Sequence, residues 1–364
     1  MNNTYFVGMP VTELPTPALV VDIEIMTRNM ETMANYLTKV KTQLRPHAKT
    51  HKTPAIGHMQ MRAGAVGLCC ATVGEAEVLV YAGIPEVMIA NEIVDPVSLR
   101  RAVNLARQAR VLMIVDDCEN VKNLAAVARQ YGAVVDVLVD LDVGQGRCGC
   151  RSLEKLEQVA REVVNQKGLR LRGVFGYEGH LQFLPDREER SRKGREATGL
   201  LVRAAKELAG LGLNMEIVSG AGTGTYDIAA EFAEMTEIQA GSYIFMDGTY
   251  QKLGLPFQQS LTVMATVVSR PTDALAVFDV GIKAISPERF HPSLQGVAQG
   301  CAEVKSLSEE HAVANLAGGF DPKPGERYHF VPSHCCSTVN LYDSMFVSRN
   351  GIVEAVWPIA ARRA

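Results

Sequence analysis

The chain has 364 residues, 47% of them hydrophobic and 21% charged, with a formal net charge of −3 at pH 7. That length suggests two domains around substantial cores, and the near-balanced charge gives no electrostatic reason to expect nucleic acid or an anionic membrane as partner. No apolar run reaches the ~18 residues of a membrane span, and Met1-Asn2-Asn3-Thr4-Tyr5 lacks the basic, then apolar, pattern of a signal peptide. Its eight cysteines are scattered apart from the adjacent pairs Cys69-Cys70 and Cys335-Cys336. Neighbouring cysteines rarely bridge each other, so a reducing cytoplasm is expected rather than a disulfide framework.

Leu14 to Asp22, apolar and headed by Pro15 and Pro17, reads either as a strand of a β-rich domain or as a lead-in to the next region. From there short apolar runs alternate with long amphipathic ones. Val66 to Cys70 precedes a helical stretch Glu75 to Ala82; Val87 to Ala90 precedes Pro96 to Gln108; Val111 to Val115 precedes Glu119 to Tyr131. Val135 to Val139 precedes Ser152 to Gln166, Leu171 to Phe175 precedes Asp186 to Leu211, and Glu216 to Val218 runs into a glycine cluster. Strand-length runs separated by helices of ten or more residues imply βα units and a parallel sheet. With a strand before Lys49 and another near Glu237-Ile238, about eight units result, which suits a (β/α)₈ barrel over residues 25–255. Beyond it, Leu261 to Val268, Ala274 to Val280, Ala302 to Leu307, Arg327 to Pro332, Met345 to Val347 and Ile352 to Trp357 read as strands split by Pro, Gly and Asn-Gly turns. Residues 1–24 and 256–364 are therefore expected to form a mainly β second domain.

Barrel enzymes carry their chemistry at the C-terminal ends of the strands. Those ends collect Lys49, Asn91, Asp116, Asp140, Asp142, Tyr177, His180 and Gly220 to Thr225. Lys49 lies in the cationic octet Arg45-Pro46-His47-Ala48-Lys49-Thr50-His51-Lys52, and Ser219-Gly-Ala-Gly-Thr-Gly-Thr225 offers backbone N–H groups and hydroxyls to a phosphate. That turn lacks a Walker lysine and falls too late for a dinucleotide fingerprint, which disfavours ATP and NAD. In the β-rich part, Ser333-His334-Cys335-Cys336 places two soft ligands two residues apart, on one face if the segment is a strand. Each has a plain alternative: cationic clusters are usually solvated surface, and His beside Cys is more often packing than ligation.

Taken in order, these segments resemble the alanine-racemase-like, fold-type III pyridoxal-phosphate enzymes, and within them the metal-dependent D-threonine aldolase branch, with D-serine dehydratases and 3-hydroxyaspartate enzymes as neighbours. The resemblance rests on R-P-H-A-K-x-H-K at 45–52, V-G-Q-G-R-C-G at 143–149, G-x-G-T-G at 220–224, G-S-Y-x-F-M-D at 241–247, E-E-H at 309–311 and S-H-x-C-x-T-x-N-L-Y-D at 333–343. It implies that Lys49 is the Schiff-base lysine for pyridoxal phosphate, with Lys52 as rival on the opposite face. A Schiff-base amine needs a depressed pKa, and His47, His51, Lys52 and Arg45 are expected to supply it by like-charge repulsion. Arg147 is expected at the pyridine nitrogen, keeping it unprotonated and weakening the electron sink. Tyr177 is expected beside the ring, and Gly222, Thr223, Gly224, Ser242 and Tyr243 around the phosphate. His334 and Cys336 match the family's metal pair, with Cys335 facing away into packing. Thiolate plus imidazole suits Zn²⁺, whereas the carboxylate that aldolases carry at the second position suits Mn²⁺ or Mg²⁺.

One departure stands out. Aldolases of this branch read A-Y-H-G-x-x-Q-H where this chain reads Gly176-Tyr177-Glu178-Gly179-His180-Leu181-Gln182-Phe183. Phe183 replaces a histidine, so either Glu178 and His180 take over as catalytic base or the substrate differs. The expected reaction is cleavage of a small β-hydroxy D-amino acid to glycine and an aldehyde. The rivals are a zinc-dependent D-serine or 3-hydroxy-D-aspartate dehydratase and a catalytically silent pyridoxal-phosphate carrier. A racemase is disfavoured, because it needs a second base and no metal. A homodimer is expected by family analogy.

Overall fold

A computed structural model describes residues 3–362; Met1, Asn2, Arg363 and Ala364, and with them the start of the N-terminal segment read above, lie outside the described residues. Two compact units emerge, residues 33–241 and residues 3–32 with 242–362. No helix among the described residues is long and apolar enough to cross a membrane.

After two short 3₁₀ turns come β1 (Ala18–Asp22) and α1 (Ile23–Leu37), so the second half of the Leu14 to Asp22 segment is a strand, paired within the β-rich unit. Asp22 Oδ1 accepts the N–H groups of Glu24 and Ile25, both at 2.9 Å, and satisfies two of the donors a helix start leaves open. The βα units follow: β2 (Gln43–Leu44), α2 (Pro54–Arg62), β3 (Leu68–Cys70), α3 (Val73–Tyr81), β4 (Glu86–Glu92), α4 (Pro96–Leu105), β5 (Arg110–Val115) and α5 (Cys118–Tyr131). They continue with β6 (Val135–Asp140), α6 (Leu153–Asn165), β7 (Leu169–Gly176), α7 (Arg187–Gly210), β8 (Ile217–Gly220), α8 (Tyr226–Ala229) and β9 (Glu237–Ile238). Side chains of Thr72, Asp95, Asp117, Ser152 and Asp186 cap the helices that follow them, which is how the sequence switches from strand to helix at these points.

The eight strands pair in parallel in the order β2-β9-β8-β7-β6-β5-β4-β3. A parallel bridge between His47 and Cys69, with the Cys69 N–H on the Pro46 carbonyl at 2.9 Å, joins the first strand's extension to β3 and closes the sheet. This is the expected (β/α)₈ barrel. Its strands are buried on both faces, as in β6 and β8, which is why they read as unbroken apolar runs. Cys69, Met88, Leu112, Ile114, Leu138, Phe175 and Ile217 form a core cluster against which Tyr177 packs.

The other unit is mainly β, also as expected. It comprises β1 with β10 (Leu261–Thr272), β11 (Leu275–Phe278), β12 (Ser293–Leu294), β13 (Ala302–Leu307), β14 (Ala312–Leu316), β15 (Arg327–Val331), the short α9 (Cys335–Val339), β16 (Ser344–Arg349) and β17 (Ile352–Pro358). The path β13-β14-β11-β10-β1-β16-β17 is antiparallel except for β1 on β16, and β15 joins β10 to β12. The β16–β17 hairpin turns at Asn350 and Gly351, both left-handed at φ 51° and 75°, the conformation that an Asn-Gly hairpin signals. The Glu309-Glu310-His311 landmark is the exposed turn between β13 and β14.

Candidate active site

Every barrel residue singled out at a strand end lies there. The octet leaves β2 with Arg45, bridges to β3 at His47 and forms a short 3₁₀ turn, Ala48–Thr50, capped by His47. Lys49 is half-buried, and its Nζ lies 5.7 Å from the centroid of the Tyr177 ring. The Arg147 guanidinium lies 6.0 Å from the same centroid, so Lys49, Tyr177 and Arg147 share one locality. Among the described residues no carboxylate pairs with Lys49. Lys52, by contrast, is committed: its Nζ lies 2.5 Å from Oε1 of the buried Glu75.

The electrostatic expectation for the octet needs correction. Arg45 is only 1% exposed and spends its guanidinium on Glu237, at 2.9 and 2.6 Å, and on Glu86, at 2.6 Å. Arg45 and Lys52 thus each have their own carboxylate. Burial, followed by the Lys49 charge, drives His47 well below the usual imidazole range and leaves it neutral. Arg45 is a structural ion pair closing the barrel between β2, β9 and β4, not part of a cationic pocket.

Arg147 sits exposed on the loop after β6. Asp142 Oδ1 accepts the N–H groups of Gly144 and Gly146 at 3.1 and 3.0 Å, and Asp116 accepts that of Gly149 at 3.0 Å. These carboxylates therefore shape the loop that carries the arginine. Asp140 is buried, and burial together with neighbouring Glu92 holds its carboxyl well above the ordinary range.

The Gly220–Thr225 turn was expected to offer N–H groups to a phosphate, and most of these are already taken, that of Thr225 by the Gly222 carbonyl at 3.2 Å. Gly222 N–H reaches Thr225 Oγ1 at 3.3 Å and Gly224 N–H reaches Gln182 Oε1 at 2.8 Å. Glu178 is buried; it accepts from the Thr225 hydroxyl and, at 3.3 Å, from Gln182 Nε2, and burial pushes its pKa up. His180 is an exposed imidazole whose pKa burial lowers, against an opposing pull from Asp142. Phe183 is half-buried.

In the β-rich unit the Ser333 to Cys336 segment is not a strand. His334 is the N-cap residue of α9, so its spacing to Cys336 is that of a helix start and the alternating-face argument does not apply. The ligand atoms of His334, Cys335 and Cys336 nevertheless lie within 4.8 Å of one another. Cys335 is fully buried and Cys336 half-buried. Asp247 Oδ2 lies 2.9 Å from His334 Nδ1 and takes the Cys335 N–H at 2.9 Å, while its Oδ1 takes the N–H groups of Thr249 and Tyr250 at 3.0 and 2.9 Å. Nδ1 is thus engaged by a buried carboxylate, the arrangement that orients imidazoles in metal sites. Ser242 Oγ lies 3.8 Å from Cys336 Sγ, which sets it beside the donor pair, and Tyr243 packs edge-on against Phe257 at 5.6 Å. Asp247 ends the 241–247 landmark, yet the sequence reading gave it no role.

These arrangements have counterparts. The profile described as "Alanine racemase, N-terminal domain" matches residues 21–249, and the one described as "Putative serine dehydratase domain" matches residues 260–348. The chain belongs to the alanine-racemase-like family of pyridoxal-phosphate enzymes. Within it the chain is 36% identical to the D-threonine aldolase of Arthrobacter sp, over 98% of this chain and 94% of that one. It is 33% identical to the 3-hydroxy-D-aspartate aldolase of Paracoccus denitrificans (strain Pd 1222), again over 98% and 94% of the two chains. The crystal structure of D-threonine aldolase from Filomicrobium marinum superposes with a TM-score of 0.94 at 35% identity, covering 98% of each chain.

Proposed function

We propose that this protein is a pyridoxal-phosphate- and divalent-metal-dependent lyase that cleaves a β-hydroxy D-amino acid to glycine and an aldehyde. The observation that carries the reading is the His334–Cys336 donor pair braced by the buried carboxylate of Asp247. A racemase or a cofactor carrier has no use for such a pair, whereas a reaction at a substrate β-hydroxyl does. The full-length similarity to two aldolases supports the same choice.

The residues present fit both groups. Lys49, an amine without a carboxylate partner over the face of Tyr177, would hold the cofactor's aldehyde end, and Arg147 its ring nitrogen. The Gly222-Thr223-Gly224 turn would hold the phosphate end through Thr223, since the N–H groups of the two glycines are bonded to Thr225 and Gln182. His334 and Cys336 form a nitrogen–sulfur donor set that suits zinc better than manganese or magnesium. When bound, pyridoxal phosphate supplies an acceptor for the electrons of the breaking Cα–Cβ bond, and the metal a Lewis acid for the β-hydroxyl.

The chain's own part is to orient these groups and to move a proton. His180 is the proton acceptor in this reading: partial desolvation lowers its pKa, which favours the neutral ring that can take up a proton. Glu178, the other candidate, has its carboxylate engaged by Thr225 and Gln182.

The second reading is a zinc-dependent dehydratase of D-serine or 3-hydroxy-D-aspartate, favoured by the thiol at position 336 and by the dehydratase-type profile over residues 260–348. Incubating the reconstituted enzyme with D-threonine, D-serine and 3-hydroxy-D-aspartate separates the two. Glycine plus an aldehyde supports the proposal. Ammonia plus a keto acid promotes the dehydratase, and the absence of any product overturns both.

A further inference from the structure

Glu178 and Gln182, 3% and 0% exposed, lie sealed against the Gly220–Thr225 turn. Polar side chains are costly to bury unless each finds its partners, and here the partners all belong to the turn or to each other. Gln182 Oε1 takes the Gly224 N–H at 2.8 Å, and Gln182 Nε2 reaches Thr225 Oγ1 at 2.8 Å. Glu178 takes the Thr225 hydroxyl and the Ala221 N–H. Thr225 Oγ1 in turn receives the Gly222 N–H at 3.3 Å.

The glycines fit this arrangement. A Cβ at Gly222 would stand 2.5 Å from Gln182 Oε1, and one at Gly224 would meet the Gln182 carbonyl oxygen. Both positions are kept bare so that Gln182 can press against the turn. Ala221 holds φ at 59°, a left-handed conformation uncommon for a residue with a Cβ, and persists in it with its N–H on Glu178.

We propose that Gln182 and Glu178 are positioning residues for the cofactor phosphate: they fix the inward N–H groups of the turn so that Thr223, between the two anchored glycines, is presented to the phosphate in a preorganised shape. This rests on the reading that the turn holds the phosphate of pyridoxal phosphate. Preorganisation raises affinity by removing the ordering cost of the loop at the moment of binding, so its loss falls on the phosphate-bearing ligand alone.

The test is a titration of the full-length apoenzyme with pyridoxal phosphate and, in parallel, with pyridoxal, which lacks the phosphate; cofactor absorbance reports binding, and melting curves report folding. Gln182→Leu and Thr225→Val are expected to weaken pyridoxal phosphate by about tenfold or more, the scale of a buried donor left unsatisfied, with pyridoxal affinity unchanged. Glu178→Gln keeps an acceptor for Thr225 and should retain more phosphate-dependent affinity than Glu178→Leu. Should Gln182→Leu fail to fold, the nearly isosteric Thr225→Val carries the test. Equal losses for both ligands, or none for either, overturn the proposal. Thr223→Glu tests the underlying reading: its carboxylate must repel a phosphate held on the turn. If it weakens pyridoxal phosphate while Gln182→Leu and Thr225→Val do not, the positioning role alone fails. If it has no effect, the phosphate lies elsewhere and both readings fall.

Discussion

Asp247 holds His334 by one ring nitrogen: its Oδ2 lies 2.9 Å from Nδ1 and, from the same atom, 2.9 Å from the Cys335 N–H. One buried carboxylate thus sets the tautomer of a candidate ligand and anchors the start of the helix bearing the other. Carboxylates behind metal-binding histidines typically contribute about 10–100-fold to metal affinity.

Asp247→Asn is accordingly expected to weaken Zn²⁺ binding by about 10–100-fold at a modest cost in stability, since its one amide oxygen can still accept the N–H groups of Thr249 and Tyr250 while its NH₂ is left facing the Cys335 N–H. Metal titration with a chromogenic competitor reads this without reference to turnover. Unchanged zinc affinity would show that His334 is not a ligand or needs no orienting partner.

Lys49 and Lys52 differ in their commitments, and this separates function from stability. Lys52→Met leaves the 2% exposed Glu75 side chain without its 2.5 Å partner. Breaking a buried pair on one side typically costs about 3–5 kcal/mol. A large drop in denaturant midpoint is expected, with cofactor still trapped by borohydride at position 49. Lys49→Ala should show the reverse, a near-normal midpoint and no trapped cofactor. Peptide mapping that finds the label on Lys52 would sink the assignment.

The Asp140–Glu92 pair makes a pH statement. Burial, then Glu92, raises the folded-state pKa of Asp140 above its unfolded value. A group raised in this way binds a proton more tightly in the folded state, so its stabilising contribution is full at low pH and declines as pH climbs above about 4. Asp140→Asn removes the titration and should flatten the decline in stability between about pH 5 and 8. Denaturant midpoints across that range check it; an unchanged slope in the variant would mean that the carboxyl is already ionised in the native protein.

The barrel and the β-rich unit were legible because periodicity and capping agree: buried parallel strands read as apolar runs, and Thr72, Asp95, Asp117, Ser152 and Asp186 mark the switch to helix. Lys49 and the glycine turn were legible as local motifs. Pairings across the chain were not. Arg45 looked like one more cation of the octet because its partner Glu237 lies 192 residues away. Gln182 and Gly224 are 42 residues apart, and Asp247 and His334 are 87 apart, so neither contact leaves a local trace. For Ser333 to Cys336 only a conditional strand was weighed and no helix at 335–339, because a five-residue helix is too short to show a 3.6-residue period.

That short helix shapes the last prediction, which concerns the two adjacent cysteines. Cys336 is half-buried beside Ser242, whereas Cys335 is fully enclosed and its N–H is tied to Asp247. Both sulfurs belong to the cluster within 4.8 Å, so proximity alone does not choose between them, and exposure favours Cys336. Co²⁺ substituted for zinc reports the ligand directly, because a cobalt–thiolate bond adds a charge-transfer absorption. That band should persist in Cys335→Ala, which is expected to lose on the order of 1 kcal/mol of stability from its emptied core position. It should vanish in Cys336→Asp, where a hard oxygen replaces the soft sulfur and metal preference moves from zinc towards manganese or magnesium. Chelation should abolish turnover in the native enzyme while pyridoxal phosphate stays bound, since its proposed holders in the barrel include neither His334 nor Cys336. A band lost in Cys335→Ala but kept in Cys336→Asp would reverse the assignment of the two thiols. Turnover indifferent to chelators would remove the metal, and with it the observation on which the lyase proposal stands.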